Sequence, residues 1–117
     1  MSLPIASSEA AFASAAAAGA NRSRPWNVGA AVIGEILYVD HFGNLISNVP
    51  AADLGPTARA VLAGRDVGPL RRTFSDVPPG QVVVYVGSGG TVEVAVRDGS
   101  AAERLDLGVG AELRVTA

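Results

Sequence analysis

From Val28 to the C-terminus, apolar and polar positions alternate over short runs, and Gly or Pro closes almost every run. AAVIGEILYVD and LISNV combine β-branched and aromatic residues, VVVYV and TVEVAV flank Gly-Ser-Gly-Gly, and ELRVT alternates near the end. A period of two sends successive side chains to opposite faces of a strand, and Gly-rich breaks between such runs predict hairpins. Residues 38–42 and 45–49 are expected as neighbouring strand ends, and LRRTFSDV as a strand leading into the turn Pro78-Pro79-Gly80. AADLGPTARAVLAG departs from the pattern: bounded by Pro56 and Gly64, it predicts a helical turn or short helix over residues 57–63. Short strands about 8 to 12 residues apart predict an all-β fold. A small antiparallel β-barrel over residues 29–117 is the expected form, because closure removes exposed sheet edges.

Residues 1–28 read as a tail or connector, partly helical or disordered. EAAFASAAAA favours helix by propensity, and the Asn-Arg-Ser-Arg-Pro stretch at 21–25 ends it. Trp26 is expected to anchor this segment on the barrel. The Ala-rich start is not a secretory leader by pattern: it lacks a basic beginning, carries Glu9, and is built of Ala and Ser rather than Leu. No run reaches the roughly 20 apolar residues that span a bilayer. A soluble, cytoplasmic protein is therefore expected.

Composition narrows the chemistry. With 117 residues, 49% of them hydrophobic, the chain has material for one modest core. A net charge of −2 provides no basic field for nucleic acid or an anionic membrane. An oligonucleotide-binding barrel is further disfavoured because aromatic residues make up only 5%. Without cysteine there are no disulfides or thiolate metal sites. The single histidine, His41, makes a zinc site or a Ser-His-Asp triad improbable, so no metal and no cofactor are expected. Arg71-Arg72 reads as a solvated strand edge.

Two stretches carry candidate chemistry. Asp40-His41-Phe42-Gly43-Asn44 joins EILYV to LISNV. It reads as a turn, since Gly-Asn accommodates positive φ and Asp bonds nearby backbone. It also reads as a site, since it is longer than a minimal hairpin turn and Asn both donates and accepts, as recognition of a purine edge requires. Gly87-Ser88-Gly89-Gly90 is no nucleophile elbow, because Val86 stands where the first Gly belongs and a strand follows. It is no dinucleotide loop either, having no helix to receive phosphate. It reads as a tight hairpin turn whose N–H groups and Ser88 hydroxyl can bind a carboxylate.

GEILYVDHFGNLISNV followed by RTFSDVPPGQVVVYVGSGGTVEVAVRDGSAAERLDLGVGAELRV resembles the C-terminal domain of the S-adenosyl-L-methionine hydroxide adenosyltransferases, relatives of the fluorinating and chlorinating enzymes. The ordered motifs are D-x-F-G-N-x-x-x-N and S-x-G-x-x-E-x-A-x-x-x-G-S-A. The resemblance implies an adenine- and methionine-recognising β-barrel of a hydrolase that converts S-adenosyl-L-methionine and water to adenosine and methionine. It implies that Asp40 holds the methionine ammonium, Asn44 reads the adenine edge with Phe42 packed beside the site, and Phe74 walls the adenine ring. It further implies that Ser88 binds the methionine carboxylate and that Val96 and Asp98 offer backbone groups to the adenine. Gly89 departs from the halogenating relatives, which carry Arg there.

The family's other half is an α/β N-terminal domain that positions water, and the ligand lies between that domain and a neighbouring barrel in a trimer. These 117 residues hold no counterpart of it. The expectation is a chain with no catalytic residue of its own, inactive alone, whose partners are S-adenosyl-L-methionine or adenosine and a homotrimer or separate α/β domain. The alternative is a stand-alone, non-catalytic module for nucleoside binding or oligomerisation.

Overall fold

A computed structural model describes residues 25–55 and 57–116. The expected helix within residues 1–28 lies outside them. The strands are β1 (Trp26–Val28), β2 (Ala31–Val39), β3 (Leu45–Pro50), β4 (Arg59–Leu62), β5 (Arg65–Arg71), β6 (Val82–Val86), β7 (Thr91–Val96) and β8 (Glu112–Thr116). Seven of them close on themselves in the order β2-β3-β7-β6-β5-β4-β8, with β8 returning to β2. β1 lies outside the ring, antiparallel to β2 through Trp26↔Ile33 and Val28↔Ala31. The all-β barrel read from the sequence is thus the fold. Six ladders of the ring are antiparallel, and β5–β6 is parallel, paired through Leu70↔Val84 and Arg71↔Tyr85.

The alternation in the sequence fills the barrel. Ile36, Leu45, Val49, Leu62, Val84, Val92, Val94, Leu113 and Val115 are buried in one cluster. Their inward repetition at every second position is what closure demands of a strand with one face in the core. A second, smaller cluster sits outside the barrel, where Val77, Val83 and Ala95 pack with Tyr85. Ser47 is buried within β3; its Oγ donates to the Val92 carbonyl at 2.6 Å and accepts from the Val49 N–H at 3.1 Å. That hydroxyl serves backbone groups where the β3–β7 register slips between Ile46 and Pro50.

The hairpin from Val82 to Val96 and the strand ELRVT form as expected. Pro78-Pro79-Gly80 is a turn, closed by the Gln81 N–H on the Pro78 carbonyl at 3.2 Å. Three expectations are corrected. Residues 57–63 are not helical: Arg59–Leu62 is a strand between β5 and β8, followed by a tight turn with Ala63 at φ 49° and Gly64 at φ 83°. Two positive φ values in succession make a type I′ turn, and pairing on both edges overrides the local helix preference of Ala, Arg and Leu. LRRTFSDV stops being strand at Arg71. Thr73 then caps a 3-10 turn, Phe74–Asp76, accepting from the Ser75 N–H while Asp76 accepts from the Thr73 N–H. Trp26 is no buried anchor, since it remains 50% exposed on β1.

One short helix, α1 (Ala101–Leu105), follows β7. Ser100 caps it by accepting from the Glu103 N–H at 3.2 Å, and Asp106 ends it in the left-handed region at φ 56°. No helix among the described residues is long and apolar enough to cross a membrane.

Candidate functional site

The Asp40–Asn44 segment is both a turn and an organised set of polar groups. Asp40 Oδ1 accepts from the N–H groups of Phe42 and Asn44, each at 2.9 Å. Its Oδ2 accepts from Asn44 Nδ2 at 3.0 Å. The backbone adds Asp40 N–H to the Asn44 carbonyl and Gly43 N–H to the Asp40 carbonyl, both at 3.0 Å. A carboxylate has about four acceptor sites, so three donors leave Asp40 room for one more. The Asn44 amide is oriented without ambiguity, because only its NH₂ can face an acceptor-only carboxylate. Its carbonyl and second N–H remain for another partner.

Gly43 joins this turn to α1. Its φ is +84°, and a Cβ there would overlap the Ser100 hydroxyl. The Ala102 N–H donates to the Gly43 carbonyl at 2.9 Å. Only glycine satisfies both the left-handed backbone and the close approach. The second Asn of the motif, Asn48, is structural: it is buried, and its Oδ1 accepts from the Glu35 N–H at 2.9 Å beside Gly34.

Register places the remaining candidates along β7. Leu45 faces Val94, so Asn44 lies near the Val96 end of that strand. Beyond it, Asp98 takes φ 62° in a tight turn closed by the Gly99 N–H on the Val96 carbonyl at 3.1 Å. Ser88 lies at the opposite end, in a turn closed by the Gly90 N–H on the Gly87 carbonyl at 3.0 Å. At about 3.3 Å per residue, the two ends of β7 are roughly 13 Å or more apart.

Tyr85 and Glu93 occupy the middle, and sequence reasoning missed both. They face each other across β6 and β7, and the Tyr85 hydroxyl donates to Glu93 Oε1 at 3.2 Å. The Glu93 carboxylate lies against Gly87, where any Cβ would overlap it. Burial pushes the Tyr85 phenol up to about 12, with the Glu93 charge, the hydrogen bond to Glu93 and the Asp40 charge adding to it. Asp40 is thus near enough to Tyr85 for its field to count. Phe74 packs beside Tyr85 with the rings tilted by 54° and their centroids 6.3 Å apart. Arg97 ties the Phe74 segment to the turn after β7, donating to the carbonyls of Val77 at 2.8 Å and Ser75 at 3.4 Å.

The outer surface of β3, β6 and β7 therefore presents Asn44 and Asp40 at one end, Tyr85, Glu93 and Phe74 between, and Ser88 at the other. Tyr38 is 55%, Phe42 72% and Phe74 48% exposed. His41 packs edge-on against Phe42, ring centroids 5.3 Å apart. A signal for the middle pair was present in the sequence: Tyr85 and Glu93 hold outward positions of the VVVYV and TVEVAV alternation, where a polar and an aromatic residue stand among valines.

Comparison with known proteins places these features in a family. The SAM hydroxide adenosyltransferase C-terminal domain matches residues 34–114. A curated (R)-S-adenosyl-L-methionine hydrolase of Thermus thermophilus is 46% identical over 82 residues, 70% of this chain and 31% of that protein. One from Salinispora tropica is 43% identical over 83 residues, 71% of this chain and 32% of that protein. Among solved structures, a conserved hypothetical protein from Thermus thermophilus superposes with a TM-score of 0.64 at 44% identity, covering 71% of this chain and 34% of that one. An uncharacterized conserved protein from Thermotoga maritima gives a TM-score of 0.68 at 27% identity, over 80% of this chain and 39% of that one. The chain spans about a third of the length of the curated relatives it matches.

Proposed function

The chain belongs to the SAM hydroxide adenosyltransferase C-terminal domain family, and from that premise we propose that it is the ligand-recognising barrel of an S-adenosyl-L-methionine hydrolase. The full reaction converts S-adenosyl-L-methionine and water to adenosine and methionine. The observation that carries this reading is the hydrogen-bonded Asp40–Asn44 unit, which leaves an amide donor–acceptor pair beside a carboxylate with one free acceptor site.

In this reading Asn44 reads the adenine edge, supported by backbone groups of Val96 and Asp98, while Phe42 and Phe74 border the ring. The ligand extends along β7. Its carboxylate meets the Ser88 turn, and its ammonium lies between Asp40 and Glu93, where two carboxylates and the neutral Tyr85 hydroxyl favour a cation. Neutral Tyr85 matters here, because a phenolate would repel the ligand's carboxylate. Glu93 and Tyr85 deepen the expected residue set rather than replace it.

The exposed aromatics around this face support a pocket completed by a second surface, an α/β domain in a homotrimeric or two-part assembly. Displacement at the ribose carbon needs water held in line with the departing sulfonium and shielded from solvent. The barrel contributes recognition of the ligand's two ends, and the orienting groups belong to that second surface.

Titration calorimetry of the full chain with adenosine, methionine and S-adenosyl-L-methionine tests the reading. Adenosine binds in the expected outcome, and S-adenosyl-L-methionine binds more tightly because it also meets Asp40, Glu93 and Ser88. No heat with adenosine at millimolar concentration would overturn it.

A further inference from the structure

We propose that the cleft between β5 and β6 binds a small multivalent oxyanion of the phosphate class. The two strands pair in parallel through Leu70↔Val84 and Arg71↔Tyr85. Before those pairs they part, and the gap forms a cleft of about 480 Å³ whose lining includes Arg59, Arg65, Asp66, Arg71 and Arg104. Val82, Val84 and Leu105 supply apolar wall. The chain's net charge is −2 with nine arginines, yet four of them line this one opening.

The charge there is largely uncompensated. Asp66 is the one carboxylate in the lining, and its Oδ2 is taken by the Arg59 guanidinium at 2.7 Å. Its Oδ1 accepts from the Gly68 N–H at 3.0 Å. The hydrogen bond from Arg59, then that from Gly68, hold Asp66 below its ordinary carboxylate range, so it stays ionised and committed to Arg59. Arg104 donates to the Gly80 carbonyl, a neutral acceptor that leaves its charge in place. Arg65 and Arg71 are exposed and form no ion pair among the described residues.

Arg59 and Arg104 have partners in the fold, but among the described residues no ion pair accounts for Arg65 and Arg71 at the same opening. Like charges around one opening repel, and Arg65 and Arg71 form no ion pair among the described residues to offset this. A bound anion resolves the repulsion. Guanidinium forks match tetrahedral oxyanions with paired N–H donors. No aromatic side chain among the described residues lines the cleft, so it lacks the stacking platform that a single-stranded nucleic acid uses. It is also distinct from the Ser88 turn, which follows the far end of β6.

The test is an amide-resolved NMR titration of the full chain with pyrophosphate, run beside citrate and chloride at matched ionic strength. Saturable shifts are expected at residues 65–71, 81–84 and 104. Arg65→Gln and Arg71→Gln, both exposed and unpaired, should each weaken pyrophosphate about tenfold while leaving the spectrum otherwise native. Arg72→Gln, outside the cleft, should change nothing. Citrate should bind at least about tenfold more weakly, since its carboxylates sit on a flexible frame that must be ordered, whereas pyrophosphate carries its charge in a compact unit. Equal affinity for citrate would overturn the phosphate assignment. Shifts confined to residues 87–90, shifts spread over every arginine, or undiminished affinity in both variants would overturn the site.

Discussion

Asn44 donates from Nδ2 to Asp40 Oδ2 at 3.0 Å, so the amide and the carboxylate of the DHFGN segment form one unit. Each residue sets the other's remaining valence. Asp40 fixes which face of the amide is free, and Asn44 with two backbone N–H groups leaves the carboxylate a single open acceptor site. Backbone bonds close the turn through the Asp40 and Gly43 N–H groups, and the Asp40 side chain takes the N–H groups of Phe42 and Asn44.

Asn44→Ala should weaken adenosine binding by about 1–3 kcal/mol, the usual consequence of losing a buried polar contact. Asp40→Asn keeps an acceptor for the Phe42 and Asn44 N–H groups but removes the charge. Its new NH₂ faces the Asn44 NH₂ and disturbs the orientation of that amide, so adenosine should weaken modestly and S-adenosyl-L-methionine more, because the latter also loses the charge. Calorimetry on both variants with both ligands decides, and equal losses throughout would refute the assigned roles.

Gly43→Ala should destabilise the chain by about 1–3 kcal/mol, because the residue sits at φ +84°. Overlap with Ser100 adds to that strain. Ser100→Gly in the same chain should recover the steric part but not the backbone part. Urea unfolding of the two single variants and the double variant separates them.

Tyr85 should ionise near 12 rather than at the ordinary phenolic value of 10.0. Its folded value is the higher one, so the fold favours the neutral phenol. That contribution to stability is complete below pH 10 and is lost as pH rises toward 12. With Tyr38→Phe removing the other tyrosine, phenolate absorbance against pH reports Tyr85 alone. Glu93→Gln should lower the midpoint yet leave it raised, since burial is the largest cause and remains.

Ser47→Ala should cost about 1–3 kcal/mol in thermal or urea unfolding, because it strips a buried partner from the Val92 carbonyl and the Val49 N–H. A loss below about 0.5 kcal/mol would show that the register slip in β3 tolerates unpaired backbone groups.

The chain alone should not release adenosine from S-adenosyl-L-methionine above the uncatalysed rate, since orientation of the attacking water supplies about 7–11 kcal/mol of such a barrier. Chromatography of adenosine against protein concentration, with a boiled control, measures this. Release that scales with folded chain and vanishes in Asp40→Ala would place the chemistry in the barrel itself.

By itself the sequence determined the strands whose two faces differ. ELRVT and TVEVAV carry a period of two that a half-buried strand satisfies, and Gly-Ser-Gly-Gly between VVVYV and TVEVAV left a hairpin as the one connection. It also carried the ordered motif around Asp40 and Asn44, because those residues act through neighbours within a few positions. Tertiary structure decided whatever depends on residues far apart in the chain. Residues 59–62 became a strand because β5 and β8 offered two edges to pair with, against a local preference for helix. Tyr85 and Glu93 became the centre of the candidate site only once β6 and β7 faced each other and Phe74 folded onto them. The parallel pairing that opens the arginine-lined cleft joins strands separated by a loop, a 3-10 turn and Pro78-Pro79. Periodicity reports how one strand divides its two faces; which strands become neighbours is settled by barrel closure, and the charged cleft and the middle of the site exist only between neighbours.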